Sequence, residues 1–288
     1  TKNPLPRTHY QEPTTKNPLP RTHYQEPTMN LNLSGKHALV GGATQGIGRA
    51  SAMALASQGA AVTILGRDQA RMRETLDVLD VAGGGPHHGL QVSNDDRNGL
   101  RMRVAEHLSR HPAQILINNT GGPPPGAIAD ATEEQFLATF GQHLLVNRLL
   151  AELTLPAMRA AGYGRIVNII STSVKEPIPG LGVSNTIRGA VASWAKTLAG
   201  EVAGAGITVN NVLPGYTRTA RLDGLIASKV KNNLDADAVA TAMLAHVPMR
   251  RFADASEIAD AVAFLCSPAA SYITGINLPV DGGRTMSL

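Results

Sequence analysis

The chain has 288 residues, 43% of them hydrophobic and 17% charged, with a formal net charge of +4. This composition is typical of a folded globular protein. Only 3% of the residues are aromatic, which argues against a surface that stacks nucleic-acid bases. The single cysteine, Cys266, excludes an internal disulfide framework and a multi-cysteine zinc site. No apolar run is long enough to cross a membrane. We therefore expect a cytoplasmic protein that binds no metal, nucleic acid or membrane.

The first 28 residues differ in character from the rest. The segment TKNPLPRTHYQEPT at 1–14 is repeated without change at 15–28, and Met29 follows it. A perfect duplication before a methionine is typical of an added leader or tag, and its prolines disfavour a helix. It carries four basic and two acidic residues, so the remaining 260 residues have a net charge of only +2. We predict that residues 29–288 form the folded domain and that the high pI does not indicate a nucleic-acid partner.

From Lys36 onward, short β-branched runs alternate with longer helical patterns. The predicted strands are His37–Val40, Ala61–Leu65, Gly89–Val92, Gln114–Ile117, Arg165–Ile170, Thr208–Leu213 and Asn277–Val280. The predicted helices are Ile47–Ser57, Gln69–Leu79, Arg97–Ser109, Glu133–Arg159, Gly182–Ala203 and Ser256–Phe264. Regular alternation of this kind predicts one α/β domain with a doubly wound Rossmann fold and a seven-stranded, mainly parallel sheet.

A segment at about 218–250 interrupts this pattern with weak periodicity and scattered basic residues. We interpret it as a lid inserted over a site. Its residues Arg218, Arg221 and Lys229 are most simply explained as charges that keep the lid soluble, although they could also attract an anionic substrate.

A glycine-rich loop directly follows the first predicted strand and opens the first predicted helix. Glycines let the backbone approach a pyrophosphate, and the helix N-terminus supplies free N–H donors. The strand–loop–helix context makes this a dinucleotide-binding site. Its predicted cofactor-binding residues are Gly42, Thr44, Gln45, Gly46, Ile47 and Gly48.

The end of the second strand indicates which dinucleotide is bound. NAD-binding sites usually carry a carboxylate there for the ribose 2′-hydroxyl. This chain has Gly66 followed by Arg67, whose planar cation suits a phosphate. We predict NADP(H) in preference to NAD(H), the alternative being that Arg67 is a solvated residue at the helix start.

Several further motifs resemble those of the short-chain dehydrogenase/reductase family, especially 3-oxoacyl-acyl carrier protein reductase-like members. Asn118-Asn119-Thr120-Gly121 resembles that family's NNAG, Gly164–Ser171 is similar to the strand that delivers its catalytic serine, and Pro214–Thr219 is similar to its nicotinamide-contacting segment. The resemblance runs from about Leu33 to Gly283. It implies a homotetramer or homodimer paired through the two long helices, a catalytic Ser171, and additional cofactor-binding residues Asn119, Arg188, Pro214, Gly215, Thr217 and Thr219.

The resemblance breaks at the acid–base pair. The family has a tyrosine thirteen residues after the serine and a lysine four residues further on; these positions hold Ser184 and Arg188. A serine hydroxyl is a much weaker acid than a tyrosine phenol, and arginine stays protonated, so neither replaces the original group as a proton relay. Ser184 is then a hydrogen-bonding replacement and Arg188 an anchor for ribose and charge.

Another group would have to supply the proton. Lys175, next to Glu176, is one candidate if it is desolvated against the prolines at 123–125. His143, at the position of the family's helix-four asparagine, and Tyr216 are two others, and a water held by Ser171 and Ser184 is a fourth. Each side chain also has an ordinary explanation: a solvated loop lysine, a buried helix histidine and a packing tyrosine.

These residues leave two functions open. The first is NADP(H)-dependent reduction of a carbonyl, 3-oxoacyl or other ketone-like, or oxidation of the matching alcohol, with a non-standard proton donor. The second is a redox-incompetent NADP(H)-binding homologue with a regulatory, structural or non-redox role.

Overall fold

Seven parallel strands form one sheet at the centre of the protein, in a computed structural model that describes residues 29–230 and 235–287. The duplicated segment 1–28, predicted to be a leader, lies outside the described residues. The spatial order is β3-β2-β1-β4-β5-β6-β7 and every neighbouring pair is parallel, which confirms the predicted doubly wound fold. The strands are β1 His37–Val40, β2 Ala61–Gly66, β3 His88–Gln91, β4 Ile115–Asn118, β5 Gly164–Ile169, β6 Ile207–Pro214 and β7 Asn277–Val280.

Helices cover both faces of this sheet. In the described ranges they are α1 Gly46–Ser57, α2 Gln69–Ala82, α3 Arg97–Arg110, α4 Glu133–Phe140, α5 Val146–Ala161, α6 Gly182–Val202, α7 Ala220–Lys229, α8 Ala236–Ala245 and α9 Ala255–Cys266. Their starts follow from local chemistry. The Asp68 side chain accepts hydrogen bonds from two backbone N–H groups of α2, and Thr132 forms a capping box with Gln135 on α4.

Alternate residues of the strands pack into two apolar cores, one on each face of the sheet. Ala38 and Val40 of β1 belong to the core that includes α1 and α9, whereas Leu39 belongs to the core that includes α3, α5 and α6. Because both faces are covered, β1, β4 and β5 are buried along their whole length. Cys266 is fully buried in the first core, and burial raises the pKa of its thiol to about 12, so it is the unreactive thiol that the sequence predicts.

Two predicted elements differ from the observed structure. The helix predicted over Glu133–Arg159 is divided into α4 and α5 by a π-helical turn at Gly141–Leu145. The segment 218–250, for which the sequence predicts no helix, contains α7 and α8, which pack together through Leu222, Val239, Met243 and Phe252. Each of these short helices buries only one or two side chains, so its apolar periodicity is faint in the sequence. None of the helices in the described ranges is long and apolar enough to cross a membrane.

Candidate active site

A cleft of about 680 Å³ opens at the carboxyl ends of the strands, where the strand order reverses between β1 and β4. This switch point is where doubly wound sheets bind their ligands. Every predicted cofactor-binding residue lines the cleft except Gly48: Gly42, Thr44, Gln45, Gly46, Ile47, Arg67, Asn119, Arg188, Pro214, Gly215, Thr217 and Thr219. The structure therefore brings together residues from distant parts of the chain.

The glycine loop is shaped by contacts that exclude side chains. Gly42 has a positive φ of 56°, and a Cβ there would lie 2.7 Å from the carbonyl oxygen of Asn119. A Cβ on Gly48 would overlap the carbonyl oxygen of Gly42, so Gly48 acts behind the cleft by letting α1 approach the loop. The side-chain amide of Asn119 donates to the carbonyl oxygens of Gly41 and Gly42 at 3.3 and 3.2 Å. Asn119 thus fixes the loop as well as lining the cleft.

The start of α1 is open to an anion. Gln45 precedes the helix without a side-chain cap, and the first turn contains no acidic residue. The free N–H groups of this turn therefore have no side-chain acceptor and lie beside the cleft wall formed by Gly46 and Ile47. This cradle fits the pyrophosphate of a dinucleotide.

Arg67 lines the end of the cleft formed by β2, and Arg71 lies behind the cleft wall on α2. The Arg67 side chain is 78% exposed and its guanidinium lies 3.9 Å from the Asp95 carboxylate. Arg71, one turn into α2, donates from Nη1 to Oε1 of the cleft residue Gln45 at 2.5 Å. Arg71 was missed in the sequence analysis, because no motif marks it.

Ser171 and Arg188 lie together at the opposite end. Ser171 lines the cleft as the residue before a short 3-10 turn, and its Oγ accepts from the Ser173 N–H at 3.1 Å. Arg188, on α6, is buried and donates from Nη1 to the Ile169 carbonyl at 2.8 Å. Burial, with Arg221 nearby, lowers the pKa of Arg188 to about 10, so the guanidinium remains protonated at neutral pH. The cleft therefore places a hydroxyl and a fixed cation at the end of β5.

The other two predicted catalytic residues are not part of the cleft wall. Ser184 is buried on α6, one turn before Arg188, and does not line the cleft. Lys175 is half-buried beyond the 3-10 turn and does not line the cleft either. Their catalytic roles stay predictions.

His143 and Tyr216 have different surroundings. His143 lies in the π-helical turn and its Nδ1 is hydrogen-bonded to the Thr120 hydroxyl. Burial, together with Arg188 and Arg221, lowers the pKa of His143 to about 3. The imidazole is therefore neutral at physiological pH, which argues against an imidazolium acid. Tyr216 lines the cleft and faces the Arg284 guanidinium, which is 5.0 Å from its ring centre.

Two cleft residues were not among the predicted catalytic or cofactor-binding residues. Arg221, for which the sequence left open a lid-surface role or attraction of an anionic substrate, lines the cleft and donates to the carbonyl oxygens of Gly122 and Pro123. Arg284 lines it from the C-terminal segment and donates to the Thr172 hydroxyl at 3.1 Å. No motif marks Arg284, because it reaches Thr172 across 112 residues of chain.

A doubly wound sheet, a glycine cradle at its switch point and a hydroxyl–cation pair at the end of β5 together define a dinucleotide-binding α/β protein of the oxidoreductase type. Residues 42–285 match the family model described as Enoyl-(Acyl carrier protein) reductase. The chain belongs to the short-chain dehydrogenase/reductase family.

Relatives of known name agree with this assignment. The chain is 35% identical to 3-oxoacyl-[acyl-carrier-protein] reductase FabG of Vibrio cholerae serotype O1, over 89% of this chain and 100% of the relative. Among solved structures, L-sorbose reductase from Gluconobacter frateurii, complexed with NADPH and L-sorbose, is 30% identical with a TM-score of 0.85, over 90% of this chain and 100% of that one. A variant of actinorhodin polyketide ketoreductase with NADPH is 31% identical with a TM-score of 0.82, over 88% and 98%.

Proposed function

We propose that the protein is an NADP(H)-dependent oxidoreductase that interconverts a carbonyl compound and its alcohol. The observation that carries the proposal is the presence of Ser171 and Arg188 in the same cleft as a glycine cradle for a dinucleotide. Relatives named as reductases, two of them in structures with NADPH, support it.

The residues present fit the cofactor. The loop from Gly42 to Gly48 would hold the pyrophosphate, because any Cβ at these two glycines would fill the space next to Asn119 and the loop backbone. Arg67, with Arg71 behind it, would hold the 2′-phosphate, since no carboxylate is present at Gly66 to favour an unphosphorylated ribose. When bound, the nicotinamide ring supplies or accepts the hydride.

Ser171 and Arg188 would act on the carbonyl oxygen. The Ser171 hydroxyl donates a hydrogen bond to it, and the Arg188 cation stabilises the negative charge that develops there. Reduction also needs one proton on that oxygen. Ser171 lines the cleft, whereas neither Ser184 nor Lys175 reaches the cleft wall in this structure. We therefore assign the proton to a water held at Ser171. Lys175 is the second candidate.

The competing proposal is a protein that binds NADP(H) without hydride transfer. The replacement of the family's tyrosine and lysine by Ser184 and Arg188 favours it, because the cradle persists while the usual acid is absent. Both proposals include assembly into a homotetramer or homodimer through the long helices α5 and α6, and a lid role for α7 and α8 over the cleft.

Deuteride transfer separates the two proposals. The protein is saturated with 4-deuterated NADPH, binding is confirmed by cofactor fluorescence, and pooled ketones, 3-oxoacyl thioesters and quinones are added. Deuterium in an alcohol product establishes a reductase. Tight cofactor binding with no label in any product favours the binding protein instead.

Two variants locate the chemistry. Ser171→Ala should reduce turnover by about tenfold or more while NADPH affinity stays the same, because a hydrogen bond to the developing oxyanion contributes at that scale. Ser184→Tyr combined with Arg188→Lys restores the family's acid–base pair, and a rise in ketone reduction would show an intact scaffold. Ser193→Ala, on the exposed side of α6, is the matched control.

A further inference from the structure

The charges that line the cleft are unevenly distributed. Asp95 is the only carboxylate among the described lining residues, and it lies beside Arg67 at the end formed by β2. The end that contains Ser171 has three cations, Arg188, Arg221 and Arg284, and none of the described carboxylates forms an ion pair with them. Positive charge concentrated in one part of a cleft favours the binding of an anion there.

Each of these arginines is held in place by a neutral acceptor. Arg221 donates from Nη1 to the Gly122 carbonyl at 2.9 Å and from Nη2 to the Pro123 carbonyl at 3.1 Å. Arg284 donates from Nη1 to the Thr172 hydroxyl at 3.1 Å, next to Ser171. These contacts fix the guanidinium groups without neutralising them, so their charge stays available to a ligand.

Two further observations point to a missing partner. The Nε of Arg284 is buried without a hydrogen-bond acceptor, which is unusual for a charged donor. Arg221 also lies close enough to Arg188 to contribute, after burial, to the lowered pKa of the Arg188 guanidinium. An anion bound beside Arg221 would relieve this repulsion.

We propose that Arg221 and Arg284 bind an anionic group of the substrate, a carboxylate or a phosphate, while Arg188 remains available to the carbonyl oxygen, so that the protein acts on negatively charged carbonyl compounds. This inference rests on the proposed function, because it specifies the substrate class of the same site. The anion anchors the molecule while Ser171 contacts its carbonyl oxygen. Arg284, from the C-terminal segment, and Arg221, from α7, are then specificity-determining residues.

Paired probes test the inference by binding as well as by turnover. The NADP⁺-loaded protein is titrated by calorimetry with acetoacetate and its neutral methyl ester, and with dihydroxyacetone phosphate and dihydroxyacetone. We expect at least one charged probe to bind ten times or more tightly than its neutral partner, since a bidentate guanidinium contact contributes on that scale. The pair with the larger ratio distinguishes carboxylate from phosphate.

Variants assign the effect to the arginines. Arg221→Gln and Arg284→Gln should each lower the preference for the charged probe about tenfold without changing NADPH affinity, and Arg284→Lys should restore part of it. The control is Arg218→Gln, because Arg218 is in the same segment but pairs with Asp254 and does not line the cleft. Circular dichroism and the unchanged NADPH affinity show that each variant is folded.

The outcomes separate this inference from the proposed function. A strong preference for the charged probe, with no deuteride transfer to any carbonyl, would overturn the reductase proposal and support the anion site. Turnover of neutral carbonyl compounds with no preference for charge would overturn the anion site alone. Equal binding within both pairs, or no binding of any probe, would also overturn it.

Discussion

The proposed preference for NADP(H) rests on Gly66, at the end of β2, together with Arg67, and it can be altered at Gly66. Gly66→Asp introduces the carboxylate that NAD-binding sites carry at this position. A Cβ at Gly66 would, however, lie 2.5 Å from Cγ2 of Thr44. We therefore predict that Gly66→Asp alone damages the site and that adding Thr44→Ser, which removes the methyl group and keeps the hydroxyl, converts the protein to NADH binding.

The expected magnitudes follow from these contacts. Carbon atoms normally pack at about 3.5–4.0 Å, so the single variant forces an overlap of roughly 1 Å. The branched side chain of Thr44 has few rotamers with which to avoid it. Overpacking of this kind costs about 1–3 kcal/mol. Once the overlap is removed, a hydrogen bond that a ribose hydroxyl donates to the introduced carboxylate contributes about 1.5–3 kcal/mol, which is roughly a tenfold to hundredfold change in the ratio of NADPH to NADH affinity.

Fluorescence titration with both cofactors and thermal unfolding together measure these effects. Gly66→Asp should lower the melting temperature by several degrees and weaken both cofactors, whereas the double variant should regain stability and prefer NADH. The matched control is Gly66→Asp with Thr44→Val, which keeps the methyl group and should not be rescued. The reasoning is refuted if the single variant is as stable as the parent, or if both double variants behave alike.

Three other predictions concern the cradle, the 2′-phosphate and pH. Gly48→Ala should abolish NADPH binding, because its Cβ overlaps the Gly42 carbonyl, whereas Gly200→Ala in an open position of α6 should leave titration curves unchanged. Arg67→Ala should weaken NADPH about tenfold and NADH little, as measured by the same titration. Burial and neighbouring histidines lower the pKa of His107 to about 4, so the unfolded state binds the proton more readily and stability should fall as the pH drops from 6.5 to 4. Since solvent screens part of this effect, we expect a loss of about 1–2 kcal/mol. Urea unfolding should show a shallower pH dependence in His107→Gln, and an identical one would contradict this.

The fold and the cofactor half of the cleft were predictable because their signals are local. The loop from Gly42 to Gly48 follows a buried strand and opens a helix, so its geometry is set within one short stretch of chain. The seven strands and their parallel pairing follow from the alternation of buried runs with helices. At most of these strand and helix boundaries, the predicted and observed ends differ by only one or two residues.

The substrate half was not predictable in the same way. Arg284 contacts Thr172 only because β5 and β7 end at the same edge of the sheet. No spacing in the sequence predicts that contact. Lys175 has the expected position in the chain, but the 3-10 turn after Ser171 leaves it outside the cleft wall. The π-helical turn that holds His143 against Thr120 has no marked sequence signal either.

This division has a physical reason that bears on the loss of the family's tyrosine. Pyrophosphate binding depends on backbone shape, on glycines without room for a Cβ and on N–H groups at a helix start, none of which involves position 184 or 188. Acid catalysis depends on one side chain at one position. A serine at position 184 therefore removes the acid without disturbing the cradle. Arg188 keeps a positive charge beside Ser171 after that change. In the proposed mechanism, Arg221 and Arg284 favour a substrate that brings its own negative group, and Arg188 stabilises the developing oxyanion without a tyrosine.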